Sequence, residues 1–114
     1  VSVEEQNELI PESIVLNQNY PNPFNPSTKI KYSIPNVERD LSRSNRSELK
    51  SALQNVTLKV YDILGRKVAT LVNEVQEPGN YEVRFDASDL SSGMYFYKLT
   101  TSGYSKTMKM MLVR

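Results

Sequence analysis

From Lys29 onward the chain keeps returning to a two-residue rhythm that a helix cannot use. Ile30, Tyr32 and Ile34 alternate with Lys29, Lys31 and Ser33. Val56, Leu58 and Val60 alternate with Thr57, Lys59 and Tyr61, and Tyr81, Val83 and Phe85 alternate with Glu82 and Arg84. Successive side chains of a strand point to opposite faces, so each run predicts a strand with one apolar face to bury. Turn markers separate the runs: Pro35, Asp62-Ile63-Leu64-Gly65-Arg66, Pro78-Gly79, Ser91-Ser92-Gly93 and Thr101-Ser102-Gly103. In the second of these Gly65 is expected at positive φ, where a Cβ is costly. Residues 67–72 leave that turn as a partner strand, residues 73–79 read as a loop, and residues 87–93 as a connection with room for one helical turn. Six or seven short strands with little helix predict an all-β, antiparallel β-sandwich.

The terminal stretch, residues 90–114, reads as a β-hairpin. Residues 94–100 are rich in aromatic and β-forming types, and residues 106–113 return after the turn. Tyr95, Tyr97 and Leu99 share one face; Met108, Met110 and Leu112 share another, with Met111 and Val113 opposite. No acid follows Asp89, whereas Lys98, Lys106, Lys109 and Arg114 all do. Chain ends usually fray and turn polar, so an apolar, basic end reads as both a core strand and a recognition element.

Three other stretches break the rhythm. Residues 1–11 are acidic and weakly patterned, and read as a linker or tail leading from an N-terminal neighbour. In Tyr20-Pro21-Asn22-Pro23-Phe24-Asn25-Pro26-Ser27-Thr28 the prolines fix φ, remove three backbone donors and push each preceding residue toward extended geometry. A stiff excursion follows, with Tyr20 and Phe24 as core anchors and Asn25 and Ser27 bonding nearby backbone. A polyproline recognition ligand is the alternative, though such ligands favour flexible tails. Residues 36–55 carry mixed charge and a weak stripe of Leu41, Leu49 and Leu53, which predicts a surface insertion with a short helix over 47–54, capped by Ser44 or Ser47.

At 114 residues, 39% hydrophobic and 24% charged, the chain has the size and composition of one globular domain with a core of its own. A net charge of +1 argues against nucleic-acid binding. With no cysteine or histidine, disulfides, thiolate chemistry and imidazole catalysis or ligation are excluded. No apolar run approaches the roughly 20 residues of a membrane span. Val1 opens no signal peptide, so a secreted precursor would carry its export signal upstream. Asp62, Asp86 and Asp89 are the acids clustered near turns. Oxygen ligands suit calcium, but these lie in different loops without a D-x-D-x-D-G run, so turn formation is the expected role and no metal or other cofactor is assigned. No nucleophile has a base partner and no glycine-rich phosphate loop occurs, so no catalytic residue is assigned and an enzyme is not expected.

Four motifs in order, with the basic apolar end, carry a family resemblance. They are Leu16-Asn17-Gln18-Asn19-Tyr20-Pro21-Asn22-Pro23-Phe24-Asn25-Pro26-Ser27-Thr28 with Ile30-Lys31-Tyr32-Ser33-Ile34-Pro35, then Val56-Thr57-Leu58-Lys59-Val60-Tyr61-Asp62-Ile63-Leu64-Gly65-Arg66-Lys67-Val68, then Pro78-Gly79, then Phe85-Asp86-Ala87-Ser88-Asp89-Leu90-Ser91-Ser92-Gly93-Met94-Tyr95-Phe96-Tyr97. Together they resemble the C-terminal sorting domain of the type IX (Por) secretion system, type A, and the immunoglobulin-like module of flagellar hook-capping proteins. The resemblance implies an immunoglobulin-like sandwich of about seven strands over residues 12–114, behind the 1–11 linker, with residues 36–55 as an inserted loop where the family has a short turn. It implies a cargo protein N-terminal to the domain, delivered through the periplasm and the outer-membrane translocon to the cell surface, commonly with a sortase that cleaves the domain off. The family's signal elements fall on Gly93, Tyr95, Gly103, Lys106, Lys109 and Arg114. Pro21, Asn22, Pro23, Phe24, Asn25, Pro26, Gly65 and Gly79 fall in its structural turns. Two other readings stay open: a retained structural module that assembles with itself or a neighbour through an edge strand, and a carbohydrate-binding accessory domain, for which few of the seven tyrosines remain once the core is filled.

Overall fold

The alternating runs become strands in the computed structural model, which describes residues 14–35 and 53–114. In chain order they are β1 (Val15–Leu16), β2 (Ser27–Ile34), β3 (Gln54–Tyr61), β4 (Lys67–Gln76), β5 (Gly79–Asp86), β6 (Gly93–Thr101) and β7 (Tyr104–Leu112). No helix occurs among the described residues. The strands form two antiparallel sheets, ordered β1-β2-β5 and β4-β3-β6-β7. The chain therefore changes sheet at β2–β3, β4–β5 and β5–β6, the interleaved wiring of an immunoglobulin-like sandwich.

Between the sheets lie the side chains that the alternation points inward. Ile30, Tyr32 and Ile34 of β2 and Phe85 of β5 meet Val56, Leu58 and Val60 of β3, Tyr95, Tyr97 and Leu99 of β6, and Met110 and Leu112 of β7, all buried. Polar partners on the other face stay wetter, as one-sided burial demands. Tyr32 and Tyr81, paired across β2 and β5, stack at 5.3 Å. The Tyr32 hydroxyl donates to Gln76 Oε1 at 2.7 Å, and burial pushes its pKa upward.

Several expectations need correction. β4 runs to Gln76, and residues 73–76, read as loop, pair with β3. The strand is hidden in the sequence because its inward end is a glutamine. Gln76 is buried yet satisfied, accepting from Tyr32 and donating to Glu74 at 2.9 Å. Two register shifts against β3 add residues to β4 and further blur its period. β3 begins at Gln54, so Gln54 and Asn55 are strand and not insertion. The remaining insertion and its helix, like the 1–11 linker, lie outside the described residues. In the connection, residues 87–90 form a β-turn, with Leu90 N–H donating to Ala87 C=O at 3.0 Å, in place of a helical turn, and Gly93 already belongs to β6. Tyr20 is no core anchor: it is 80% exposed, while Phe24 is 2% exposed and packs against Phe85 at 6.1 Å.

Candidate functional site

The proline-rich segment runs beside β7 and closes part of its outer edge. Its turns include cis peptide bonds before Pro21, Pro23 and Pro26. Phe24 N–H donates to Met111 C=O, and Val113 N–H donates to Phe24 C=O, each at 3.0 Å. Asn22 Oδ1 accepts from Met111 N–H at 3.0 Å, and Gln18 Nε2 donates to Lys109 C=O at 2.7 Å. Residues 17–26 are thus a strap that satisfies backbone groups which an edge strand otherwise leaves open. The strap is braced from within. The buried Tyr97 hydroxyl accepts from Asn19 N–H at 2.8 Å and donates to Asn17 C=O at 2.7 Å. Burial pushes its pKa up to about 12. Asn19, also buried, donates from Nδ2 to Thr28 Oγ1 at 3.0 Å and to Pro21 C=O at 3.1 Å.

A second set of contacts fastens the chain beyond β7. Arg114 N–H donates to Ser92 Oγ at 2.9 Å. Its guanidinium nitrogen Nη1 contacts the carbonyl oxygens of Ala87, Ser88 and Leu90 at 3.0, 2.7 and 3.0 Å. These carbonyls belong to the β5–β6 corner, which Tyr95 also holds: its ring is buried and its hydroxyl donates to Ser91 C=O, four residues upstream, at 2.7 Å. This is the tyrosine corner of immunoglobulin-like sandwiches. Gly93, at φ 150°, then opens β6 opposite Leu112.

The same end of the sandwich carries the β3–β4 turn. Asp62 accepts from the N–H groups of Leu64 and Arg66 and from Arg66 Nε, each at 2.9 Å. These bonds, the Arg66 amide first, hold its carboxyl below the usual range. Asp86 is held low by the Ser88 hydroxyl and amide, with help from Arg84 and Arg114. Both carboxylates are therefore turn-formers, and among the described residues no group of acids is placed to hold a metal ion. A groove of about 250 Å³ lies between the Asp62–Arg66 turn and the Ser91–Met94 entry to β6. Ile63 and Leu64 stand at its rim, 71% and 72% exposed.

The residues singled out in the sequence therefore fall in two places. Gly93, Tyr95 and Arg114 converge on the fastened end. Gly103 (φ 70°) and Lys106 lie at the opposite end, where Ser102-Gly103 turns β6 into β7 and Thr101 pairs with Tyr104. Lys109 stands between, exposed, with its carbonyl under Gln18. Of the turn residues, Phe24 is the strap's buried anchor and Asn22 its link to β7, while Gly65 takes φ 87° in the β3–β4 turn. Ser27 bonds the Arg84 side chain at 3.1 Å and not nearby backbone. Asn17, Gln18, Asn19 and Tyr97 escaped the sequence reading as a unit. The available signal was a run of amide side chains directly before three prolines, a stretch short of its own backbone partners.

The model of the family described as "Secretion system C-terminal sorting domain" matches residues 18–114. No curated protein matches the chain. Among solved structures, PorZ, an essential bacterial surface component of the type IX secretion system of Porphyromonas gingivalis, aligns at 18% identity and TM-score 0.48, over 90% of this chain and 12% of PorZ. The CARDB domain of the PF1109 protein from Pyrococcus furiosus, solved with di-metal ions, aligns at 8% identity and TM-score 0.48, over 92% of this chain and 94% of that domain.

Proposed function

The chain belongs to the family of secretion system C-terminal sorting domains, and on that premise we propose that it is a non-catalytic export signal read in its folded form. The observation that carries the reading is the extent of the family match, which takes in the strap from Gln18 onward and the terminal hairpin. In this reading a cargo protein lies N-terminal to the domain and crosses the inner membrane by an ordinary signal peptide. The type IX translocon in the outer membrane then takes the cargo by this domain and delivers it to the cell surface, where a sortase severs the two. Gly93, Arg114 and the corner they build are offered at one end, and Gly103, Lys106 and Lys109 along the open edge. The buried Tyr95 serves by fixing the corner that presents Gly93.

Recognition of a folded end is favoured over a detached one by what detachment costs. Freeing the chain from Met110 onward would expose Met110 and Leu112 and break the strap bonds at Met111 and Val113 together with those of Arg114. A periplasmically exported reporter fused to the N-terminus of this chain tests the idea in a type IX-competent bacterium. The fusion should reach the surface, and removal of the last residues should leave it in the periplasm. Met94 and Met111 are directly paired across β6 and β7. Cysteines at both positions meet the separation a disulfide needs and would lock the strand in place. Export of the locked form is the expected result; a block relieved by reduction would mean that the end must detach.

The open half of β7 favours a second reading, a retained module that adds a strand from a neighbour, restricted to residues 104–108 because the strap occupies the rest. The mass of the mature surface protein separates the two, since only a retained module keeps Arg114.

A further inference from the structure

The two outer faces of the sandwich differ in charge. On the three-stranded sheet the cations Lys29, Lys31 and Arg84 are interleaved with Glu82 and Asp86, and Lys29 pairs with Glu82 at 3.4 Å. The four-stranded sheet turns outward the rows Lys67-Tyr61-Phe96-Lys109, Thr70-Lys59-Lys98-Thr107 and Asn73-Thr57-Thr100-Ser105, with Met94-Met111 beyond. Among the described residues, no acid stands in these rows. Lys59 and Lys98 face each other directly across β3 and β6, an arrangement that like charges disfavour. Tyr61, Phe96, Met94 and Met111 are only half-buried.

We propose that this face is a docking surface for an acidic protein partner. An aromatic and methionine patch bordered by charge is the anatomy of a protein interface; the neighbouring acid Asp62 is paired with Arg66, and the cations Lys59, Lys67, Lys98 and Lys109 select a carboxylate-rich complement and speed its approach. A neutral glycan has no need of the lysines that face one another at Lys59 and Lys98 without a carboxylate in their row, whereas an acidic chain neutralises them. A lipid surface would need apolar side chains that protrude and insert, whereas these lie half-covered within the sheet. The inference goes beyond the sorting reading, and its test involves no export.

The isotope-labelled full chain is titrated by NMR with a synthetic peptide alternating glutamate and leucine, at low and high salt. The expected result is saturable shifts confined to amides of β3, β6 and β7 around Tyr61, Phe96 and Lys98, lost at high salt. K59E/K98E should weaken binding about tenfold or more, and K29E/K31E should leave it unchanged. K59Q/K98Q supplies the comparison if charge reversal perturbs the fold. Absence of saturable shifts overturns the proposal, as do shifts centred on β2 and β5. Binding to phosphatidylglycerol vesicles or dextran sulfate in place of the peptide also overturns it.

Discussion

The two ends of the β6–β7 hairpin share one ladder and differ in everything that surrounds it. At the Gly93–Leu112 end, β7 is flanked by the strap, its outer backbone groups are taken by Phe24, Asn22 and Gln18, and the chain beyond it is bound to the β5–β6 corner through Arg114. At the Ser102-Gly103 end the strand has β6 on one side and, among the described residues, no partner on the other, and residues 104–107 are exposed. Alternation places backbone groups of Ser105 and Thr107 on the same outer edge as those of Met111, with no strap beside them. Local stability follows such support, so one strand contains both a core element and a segment near the low-stability limit. The recognition signal proposed above, spanning both ends, would then have a rigid half and an adaptable half.

The contrast fails most visibly if the strap is not what holds the fastened end. Phe24→Ala removes the buried ring between the strap and Phe85 and is expected to cost about 3–5 kcal/mol. Tyr104→Ala, at the open end, should stay within about 0.5 kcal/mol. Urea unfolding of both variants reads the difference; similar midpoints would mean that the strap is an ornament on a hairpin stable without it.

Tyr97→Phe comes next. It leaves the ring and deletes the hydroxyl between Asn17 and Asn19, so the buried Asn19 amide and the partly buried Asn17 carbonyl lose their partner, at about 1–3 kcal/mol. The same hydroxyl carries a pH signature. Its pKa is pushed from the ordinary tyrosine value of 10.0 up to about 12 in the folded chain. The unfolded chain therefore ionises first, and the stabilisation present below pH about 10 is lost as pH rises toward about 12. Tyr32 and Tyr81 are shifted upward too, so Tyr97→Phe should flatten the alkaline decline only in part. An unchanged slope between those pH values would count against a buried, neutral Tyr97 bracing the strap.

How much of this was legible follows from how local each feature is. The strands β2, β3, β5, β6 and β7 were readable because Ile30, Val56, Phe85, Tyr97 and Met110 each belong to a two-residue alternation; which of them pair, the hairpin of β6 and β7 apart, was not. The end of β4 was not, because Gln76 is inward only by virtue of Tyr32, forty-four residues away in the chain. The strap was half readable. Three prolines announce an excursion and Phe24 announces an anchor, but nothing local tells Phe24 from Tyr20, and only the contact with β7 decides which ring is buried. Of the residues proposed for recognition, Gly93 and Gly103 were findable as turn glycines. That Arg114 would spend its guanidinium on corner carbonyls depends on sheet-crossing topology, which no periodicity encodes.

Arg114→Ala should produce a smaller loss, about 1 kcal/mol, since the residue is exposed and its bonds compete with water. Its distinguishing effect is local. Amides of the β5–β6 corner and of Val113 should exchange faster, while those near Gly103 remain as they were. Uniform acceleration would point to global destabilisation and remove the case for a separate fastening at this end.

The smallest effect is expected at Lys106. Its side chain is exposed and reaches no hydrogen-bond partner or salt bridge among the described residues, so Lys106→Ala should move the unfolding midpoint by less than about 0.5 kcal/mol. That neutrality makes it the cleanest probe of recognition. A substitution that leaves the fold alone and lowers reporter export acts on what the translocon reads, whereas Arg114→Ala mixes reading with fastening. If Lys106→Ala destabilises the domain as much as Arg114→Ala does, the open end is supported by contacts of its own, and the division of the hairpin into a rigid and an adaptable half is wrong.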